Sequence, residues 1–371
     1  MRTREDIYRE NKDVAVVLVF IVAIIAKMVE HLYLPAKYYY DNNRIFQTML
    51  DPNFKDRWGG SYKVTADFFR RINIFNLDTF NKWSIAIAII FNIIIIILLI
   101  TSKGIDLNQT IFLLMCVGLL NIYVFNIGKE VIQIGIFTMI FLAIMLKIPN
   151  IIKVALCFGL LYWESTFFRN YYIIIAFFFI TILVGILIIK KYIKKITLFK
   201  IIIIVLALYA MVAAFLFMAS IFMHNDFIEV MECKNDSTLL GATSTIDDKI
   251  EHGNNIGLFM INYIINSVRM AFPIELLRAG IFYIPFIVFE GFFIYYIAKS
   301  LYRLYSSDFT QILALSIVLG YFMGSVLFEP DFGSFVRHEI ATFPIIYILI
   351  FNKNNWNLKK DKGGINDNYK K

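Results

Sequence analysis

The sequence predicts an all-α, polytopic transmembrane helix bundle of about ten spans, with extracytoplasmic loops and a surface amphipathic helix. Three observations carry that expectation. Of 371 residues, 59% are hydrophobic and only 17% are charged, where an ordinary soluble domain carries about 25% charge. The mean hydropathy is +0.69. The apolar residues fall in runs that reach or approach the roughly 20 needed to cross a bilayer. Inside lipid every backbone N–H and C=O must be satisfied within its own segment, so such runs read as helices.

The runs lie at residues 14–32, 84–101, 110–125, 131–147, 151–164, 171–190, 201–223, 279–298, 310–328 and 341–351. The first follows a start of mixed charge, MRTREDIYRENKD, and no small-residue cleavage site comes after it. It reads as a retained signal anchor. Two polar segments, 33–83 and 224–257, interrupt the series. Residues 258–278 are apolar but carry Asn262, Asn266, Arg269, Glu275 and Arg278, with Pro273 as a breaker. They read as an amphipathic helix lying on the membrane surface.

Ten spans place both termini in the cytoplasm. Arg2, Arg4, Arg9 and Lys12 then lie inside, with Lys190, Lys191, Lys194, Lys195, Lys200, Lys299, Arg303 and the lysine-rich tail 352–371. That satisfies the positive-inside rule, and an eleventh span at 258–278 would break it. Segment 33–83 resists, because it carries Lys37, Arg44, Lys55, Arg57, Lys63, Arg70, Arg71 and Lys82 outside. A loop of that length sits near the limit at which charge steers topology. The whole chain, 1–371, reads as one integral membrane domain with 33–83, 224–278 and 329–340 extracytoplasmic.

Several classes are excluded. No basic stripe interleaved with aromatics points to nucleic acid. Cys116, Cys157 and Cys233 form neither a disulfide framework nor a metal-ligand spacing. No G-x-x-x-x-G-K-[ST] loop is present, so no nucleotide, metal or other cofactor is expected.

The same topology gathers the polar exceptions on the outer face. The densest is FEPDFGSFVRHEIATFP, residues 328–344, with Glu329, Asp331, Arg337, His338 and Glu339 between two apolar runs. Charges at the mouth of a bundle are costly unless paired, hydrated or used. Arg337 can grip phosphate in a bidentate fork, and His338 can move a proton near neutral pH. Asp331 and Glu339 complete the group, and Gly333 permits a sharp turn. The bland alternative is a re-entrant turn capping the last helix.

Other segments join it. In KYYYDNNRIF, Asp41 and Arg44 are three apart and share a helix face. They read either as a general base beside a phosphate ligand or as a surface ion pair under an aromatic belt. In NIGKEVIQ, Lys129 and Glu130 cannot pair along a helix face, so at least one seeks another partner. Lys129 is a candidate diphosphate ligand, or both are solvated loop charges. In YWESTFFRNYY, Glu164 and Arg169 are candidates for a cavity wall, ringed by interfacial Trp163, Tyr171 and Tyr172. Arg269 and Arg278 can snorkel from the surface helix to lipid phosphate. His224 and His252, among acidic neighbours, match no metal spacing and read as solvated loop, and His31 as a lone interfacial histidine.

The cassette at 328–344, the NIGKEVIQ turn and the aromatic, arginine-bearing outer turn resemble the EpsG/Wzy group of bacterial polysaccharide polymerases. The likeness spans most of the chain in layout and is specific in these short motifs. It implies a glycosyltransferase of the bacterial cytoplasmic membrane that polymerises undecaprenyl-diphosphate-linked oligosaccharide repeat units at the outer face. The products would be capsule, exopolysaccharide or O-antigen chains. One lipid-linked glycan is the donor and another the acceptor, membrane lipids surround the site, and a chain-length regulator is a further partner. By that resemblance Arg337 binds the leaving diphosphate with help from Lys129 and Arg169. Asp41 is similar in position to the base of GT-C glycosyltransferases, an analogy at the level of the fold. Two alternatives stay open. One is a GT-C transferase that moves a single sugar from a polyprenyl phosphate. The other is a lipid-linked glycan flippase, for which the paired half-repeats usual in transporters are not evident.

Overall fold

The computed structural model describes residues 4–35, 39–55, 57–102, 104–192, 197–222, 244–251, 253, 255–278 and 280–351. The expectations for Lys37, His224, Cys233, His252, the acidic residues between 224 and 243, and the tail 352–371 lie outside them. Among the described residues the secondary structure is helical, with one isolated bridge between Thr245 and Asp331 and no strand.

The helices run α1 (Arg4–Tyr33), α2 (Tyr40–Leu50), α3 (Gly60–Ile72), α4 (Phe80–Thr101) and α5 (Leu107–Leu119). A π-helical turn, Leu120–Val124, extends α5. There follow α6 (Lys129–Met145), α7 (Asn150–Phe167), α8 (Tyr172–Tyr192), α9 (Leu198–Phe222) and α10 (Ile256–Ala271). The chain closes with α11 (Ile284–Tyr302), α12 (Phe309–Phe328), α13 (Phe332–Ile340) and α14 (Phe343–Phe351). Short polar residues start several of them. Asp106 forms a capping box with Gln109, and the carboxylates of Asp308 and Asp331 accept from the backbone of Gln311 and Ser334, satisfying N–H groups that the helix itself cannot.

All ten apolar runs lie largely within helices. Seven helices among the described residues are long and apolar enough to cross a membrane, or eight if α13 and α14, bent by 64°, form one span. Helices α6 and α7, of 17 and 18 residues, are not in that set.

Segment 33–83 is not simply a loop. It folds into α2 and α3, joined where Arg70 donates to the carbonyls of Thr48 and Met49 at the end of α2. Helix α10 fills the amphipathic stretch, yet it does not simply float on a surface. Its Asn262 exchanges two hydrogen bonds with the Ile250 backbone, and Tyr263 donates to the Met323 carbonyl on α12. Arg269 is spent on Glu275, at 2.6 Å, and on the Asp247 carbonyl, at 2.7 Å, so it is not free to snorkel.

Helix α12 is the centre of the bundle, with 83% of its apolar stretch buried. It runs closest to α8. A Cβ on Gly320 would stand 2.8 Å from the Phe179 backbone nitrogen, and one on Gly324 would stand 2.5 Å from Ile175 Cγ1. Gly320 lets the α8 backbone approach and Gly324, one turn on, takes the Ile175 side chain, and such contact carries packing where lipid supplies no hydrophobic drive.

The polar contacts sort to the two ends of the bundle. One end joins the C-terminus of α1 to α4 and to the turn before α6, through Lys27, Ser84 and the Phe125 carbonyl. The start of α8 and the α12–α13 junction meet at the same end. The opposite end is tied by Lys12 to the carbonyls of Ile100 and Ser102, and by Gln109 to that of Ile350.

Candidate functional site

The site is built around the first turn of α6. Gly128 stands at its N-cap in extended backbone, and a side chain there would collide with the Asn42 amide. That amide donates to the Ile127 carbonyl at 3.1 Å, which seats α2 against the turn. Glu130 follows in the first helical turn, where the helix dipole favours a carboxylate. It is 2% exposed.

Two side chains of α13 converge on one oxygen of Glu130. Arg337 Nε lies 3.1 Å from Oε1, and His338 Nε2 lies 3.2 Å from the same atom. The other imidazole nitrogen, Nδ1, stands 2.7 Å from Glu329 Oε1. Arg169 brings Nη2 to 3.0 Å from His338 Nε2 and donates from Nη1 to the Tyr171 hydroxyl at 2.9 Å. Beneath them the Gln133 amide donates to the Tyr321 hydroxyl and to the His338 carbonyl, at 2.8 and 2.9 Å. Beside this group Lys129 Nζ is 3.4 Å from Asp41 Oδ2 and 3.8 Å above the Tyr62 ring. Tyr62 donates its hydroxyl to the same carboxylate at 2.9 Å.

The electrostatics follow from that geometry. Lys129, Arg169 and Arg337 are matched by Asp41, Glu130 and Glu329, with the imidazole between them. Nε2 of His338 has two alternative partners. It lies between Arg169 Nη2 at 3.0 Å and Glu130 Oε1 at 3.2 Å, and the ring's tautomer decides which of the two it bonds. Burial alone would push the Glu329 carboxyl up, but the charges of His338, Arg169 and Arg337 outweigh it and hold the group below the usual carboxylate value. Lys129 sits ahead of the apolar stretch of α6. Burial and the Arg169 charge push its ammonium down to about 8, against the pull of Glu130 and Asp41. Burial and the Asp41 carboxylate push the Tyr62 phenol up, so it stays a donor.

Arg337 is the open member. Its Nε is ion-paired with Glu130 without hydrogen-bond alignment, its terminal nitrogens make no hydrogen bond among the described residues, and its side chain is 17% exposed. Asp41, 26% exposed, is the carboxylate of the cluster most open to a ligand. Asp41, Glu130 and Asp331 are near enough to act on the Arg337 charge.

The structure therefore brings Asp41, Lys129, Arg169, Arg337 and His338 together and sets the other candidates aside. Lys129 and Glu130 are not solvated loop charges. Both are buried, with partners on different helices. Asp331 caps α13, accepting from the Ser334 N–H and hydroxyl at 2.9 Å each, instead of facing a substrate. Gly333 lies inside that helix and makes no sharp turn. Arg44 is stacked on Trp58, 4.1 Å from its ring, and on Tyr40. Glu164 is fully buried and so walls no open cavity. Glu339 points to the far side of α13, and Arg278 is exposed at the end of a short 3₁₀ turn.

Several contributors escaped the sequence reading. Tyr62, Gln133 and Tyr321 are neutral polar residues inside helices and carry no local signal. Lys27 and Glu30 lie within the first apolar run, 2.6 Å apart, and Lys27 also bonds Ser84, the Phe125 carbonyl and Asn126. Charges inside a span were themselves the available sign. This pair stands at the polar head of a groove of about 1050 Å³ between α1 and α4, walled by apolar residues such as Phe20, Ile24, Ile89 and Ile93. The first turn of α2 borders both places, with Asn43 on the groove and Asp41 in the charged cluster.

No family model, curated protein or solved structure matches the chain.

Proposed function

We propose that the protein is a polysaccharide polymerase of the bacterial cytoplasmic membrane, of the EpsG/Wzy kind, joining undecaprenyl-diphosphate-linked repeat units at the outer face. The observation that carries this reading is Arg337. A half-buried guanidinium is ion-paired at Nε with Glu130 while its two terminal nitrogens remain open beside an accessible carboxylate and an ammonium. That is a preorganised seat for a phosphate oxygen pair. The finer topology of ten spans, with both termini cytoplasmic, belongs to the same proposal.

In this scheme Arg337 and Lys129 neutralise the leaving diphosphate, and Arg169 supports them through His338. Asp41 takes the proton of the acceptor hydroxyl. The acceptor oxygen bonds the donor's anomeric carbon as the bond from that carbon to the phosphate oxygen breaks. The electron pair leaves with the diphosphate, and configuration inverts. Energy comes from the activated lipid, so no nucleotide is needed. The groove between α1 and α4 suits the hydrocarbon chain of such a carrier, since it ends next to the helix that bears Asp41.

Purified protein in detergent, given authentic lipid-linked repeat units without nucleotide, is expected to yield longer chains. Transfer of one sugar from a polyprenyl phosphate, with no extension of repeat units, would move the assignment to the GT-C transferase. Translocation of glycolipid across sealed vesicles with no product formed would move it to the flippase.

A further inference from the structure

A second buried acidic site stands apart from the cluster. Glu290, on the second turn of α11, and Glu339, in the last turn of α13, are 0% and 1% exposed. Their carboxyls face one another within hydrogen-bonding range. Yet none of the four oxygens finds an N–H or O–H donor in the structure. Across the packing, the ionisable groups that act on Glu339 are Glu290, Glu329 and the Cys116 thiol of α5. The first two are acids, and a buried thiol offers no positive charge. No lysine, arginine or histidine bonds either carboxyl among the described residues.

Two carboxylates cannot both stay ionised at that distance in a water-poor interior. The repulsion grows as the dielectric falls, and each unmet oxygen keeps its desolvation cost. One O–H between them removes the repulsion and supplies the missing donor together. We propose that Glu290 and Glu339 form a proton-binding site, an acid–carboxylate pair sharing at least one proton, which fastens α13 to α11. Its place gives it a consequence. Arg337, His338 and Glu339 are consecutive, and successive helical residues turn by about 100°. Arg337 and Glu339 therefore project from nearly opposite sides. One side of α13 is tied to Glu130 by its charges, and the other is tied to α11 by a proton. This inference does not depend on the reaction assigned above.

The test uses the full-length protein in detergent or lipid discs, with infrared difference spectroscopy and thermal unfolding over a range of pH. Wild type is expected to show the carbonyl stretch of a protonated carboxylic acid, shifted by deuterium oxide and lost in Glu290→Gln and in Glu339→Gln. Each glutamine variant is expected to unfold near the wild-type temperature at neutral pH, because its amide N–H donates where the acid O–H did. The sign at high pH follows. A group protonated in the fold and ionised in the unfolded chain gives stability that is lost as pH rises. Wild type is therefore expected to lose stability on the alkaline side, and Glu290→Gln to lose less. Absence of the acid band in wild type would overturn the proposal. So would a melting temperature raised by sodium, potassium or magnesium in wild type but not in Glu290→Gln, which would mark a metal cation between two ionised carboxylates.

Discussion

Arg337 shows how much a single side chain depends on the atoms it leaves unbonded. Its Nε is ion-paired with Glu130 at 3.1 Å, while its terminal nitrogens are left for a ligand. Arg337→Ala is expected to abolish chain extension while the protein still inserts and folds. Arg337→Lys is expected to lose most activity as well, because a compact ammonium cannot make two parallel bonds. Loss of such a charged contact costs about 2–5 kcal/mol, on the order of a 30- to several-thousand-fold drop in rate. Initial rates with lipid-linked repeat units measure it, and full activity in well-expressed Arg337→Ala would remove the residue from the site. At this scale the sequence was legible where charge stood out from apolar surroundings. Asp41, Lys129, Arg169, Arg337 and His338 declared themselves in that way. Glu339 stood out in the same way and was placed with them, because the charge pattern of the cassette does not tell which way each side chain faces. Once it is a helix, residues 337 and 339 part company.

Among the elements, α8 and α12 are bound by absence. Gly320 leaves room for the α8 backbone and Gly324 for the Ile175 side chain, and a methyl group at Gly320 would meet Phe179 N at 2.8 Å and its Cα at 2.9 Å. Backbone atoms cannot swing aside, so Gly320→Ala must push the helices apart or strain them. The expected cost is about 1–3 kcal/mol, the usual range for overpacking, read as a lower unfolding temperature in detergent. Gly159 has nothing within 4 Å of such a methyl group, and Gly159→Ala is expected to be neutral or slightly stabilising as a control. Equal melting of both variants would argue that α8 and α12 do not approach this closely. The helices themselves were legible from apolar run length alone. The pairing of α8 with α12 was not, because the spacing of two glycines names no partner. The folding of 33–83 into α2 and α3 was missed for a related reason. A segment read only for spans is passed over as loop, although Arg70 and Asp67 sit three apart on one face and pair at 2.7 Å.

At the scale of the whole molecule, polarity divides the bundle into two unlike ends. Residues 73–79 belong to the end that holds the cluster, and 303–307 to the opposite end. Ser334 is tied to Asp331 and makes a poor probe, so exposed positions serve better. A cysteine placed at Phe75 is expected to react with an impermeant reagent from outside the cell, and one at Ser306 only after permeabilisation. Labelling of Ser306 alone from outside would invert the molecule and put the chemistry in the cytoplasm. The lysine distribution is the ground on which that orientation is expected. The composition of the cluster across helices distant in sequence was beyond it, since contact at long range leaves no periodicity. Gln133 lies 205 residues from the carbonyl of His338 that it serves. That separation bears on biosynthesis. Helices leave the ribosome in chain order, so α6 and α8 are made long before α12 and α13 exist. Until then Glu130 lacks Arg337 and His338, Arg169 lacks His338, and the groove that α12 fills stands empty. A chain cut short before α12 would therefore keep Glu130 without the two α13 side chains that face it.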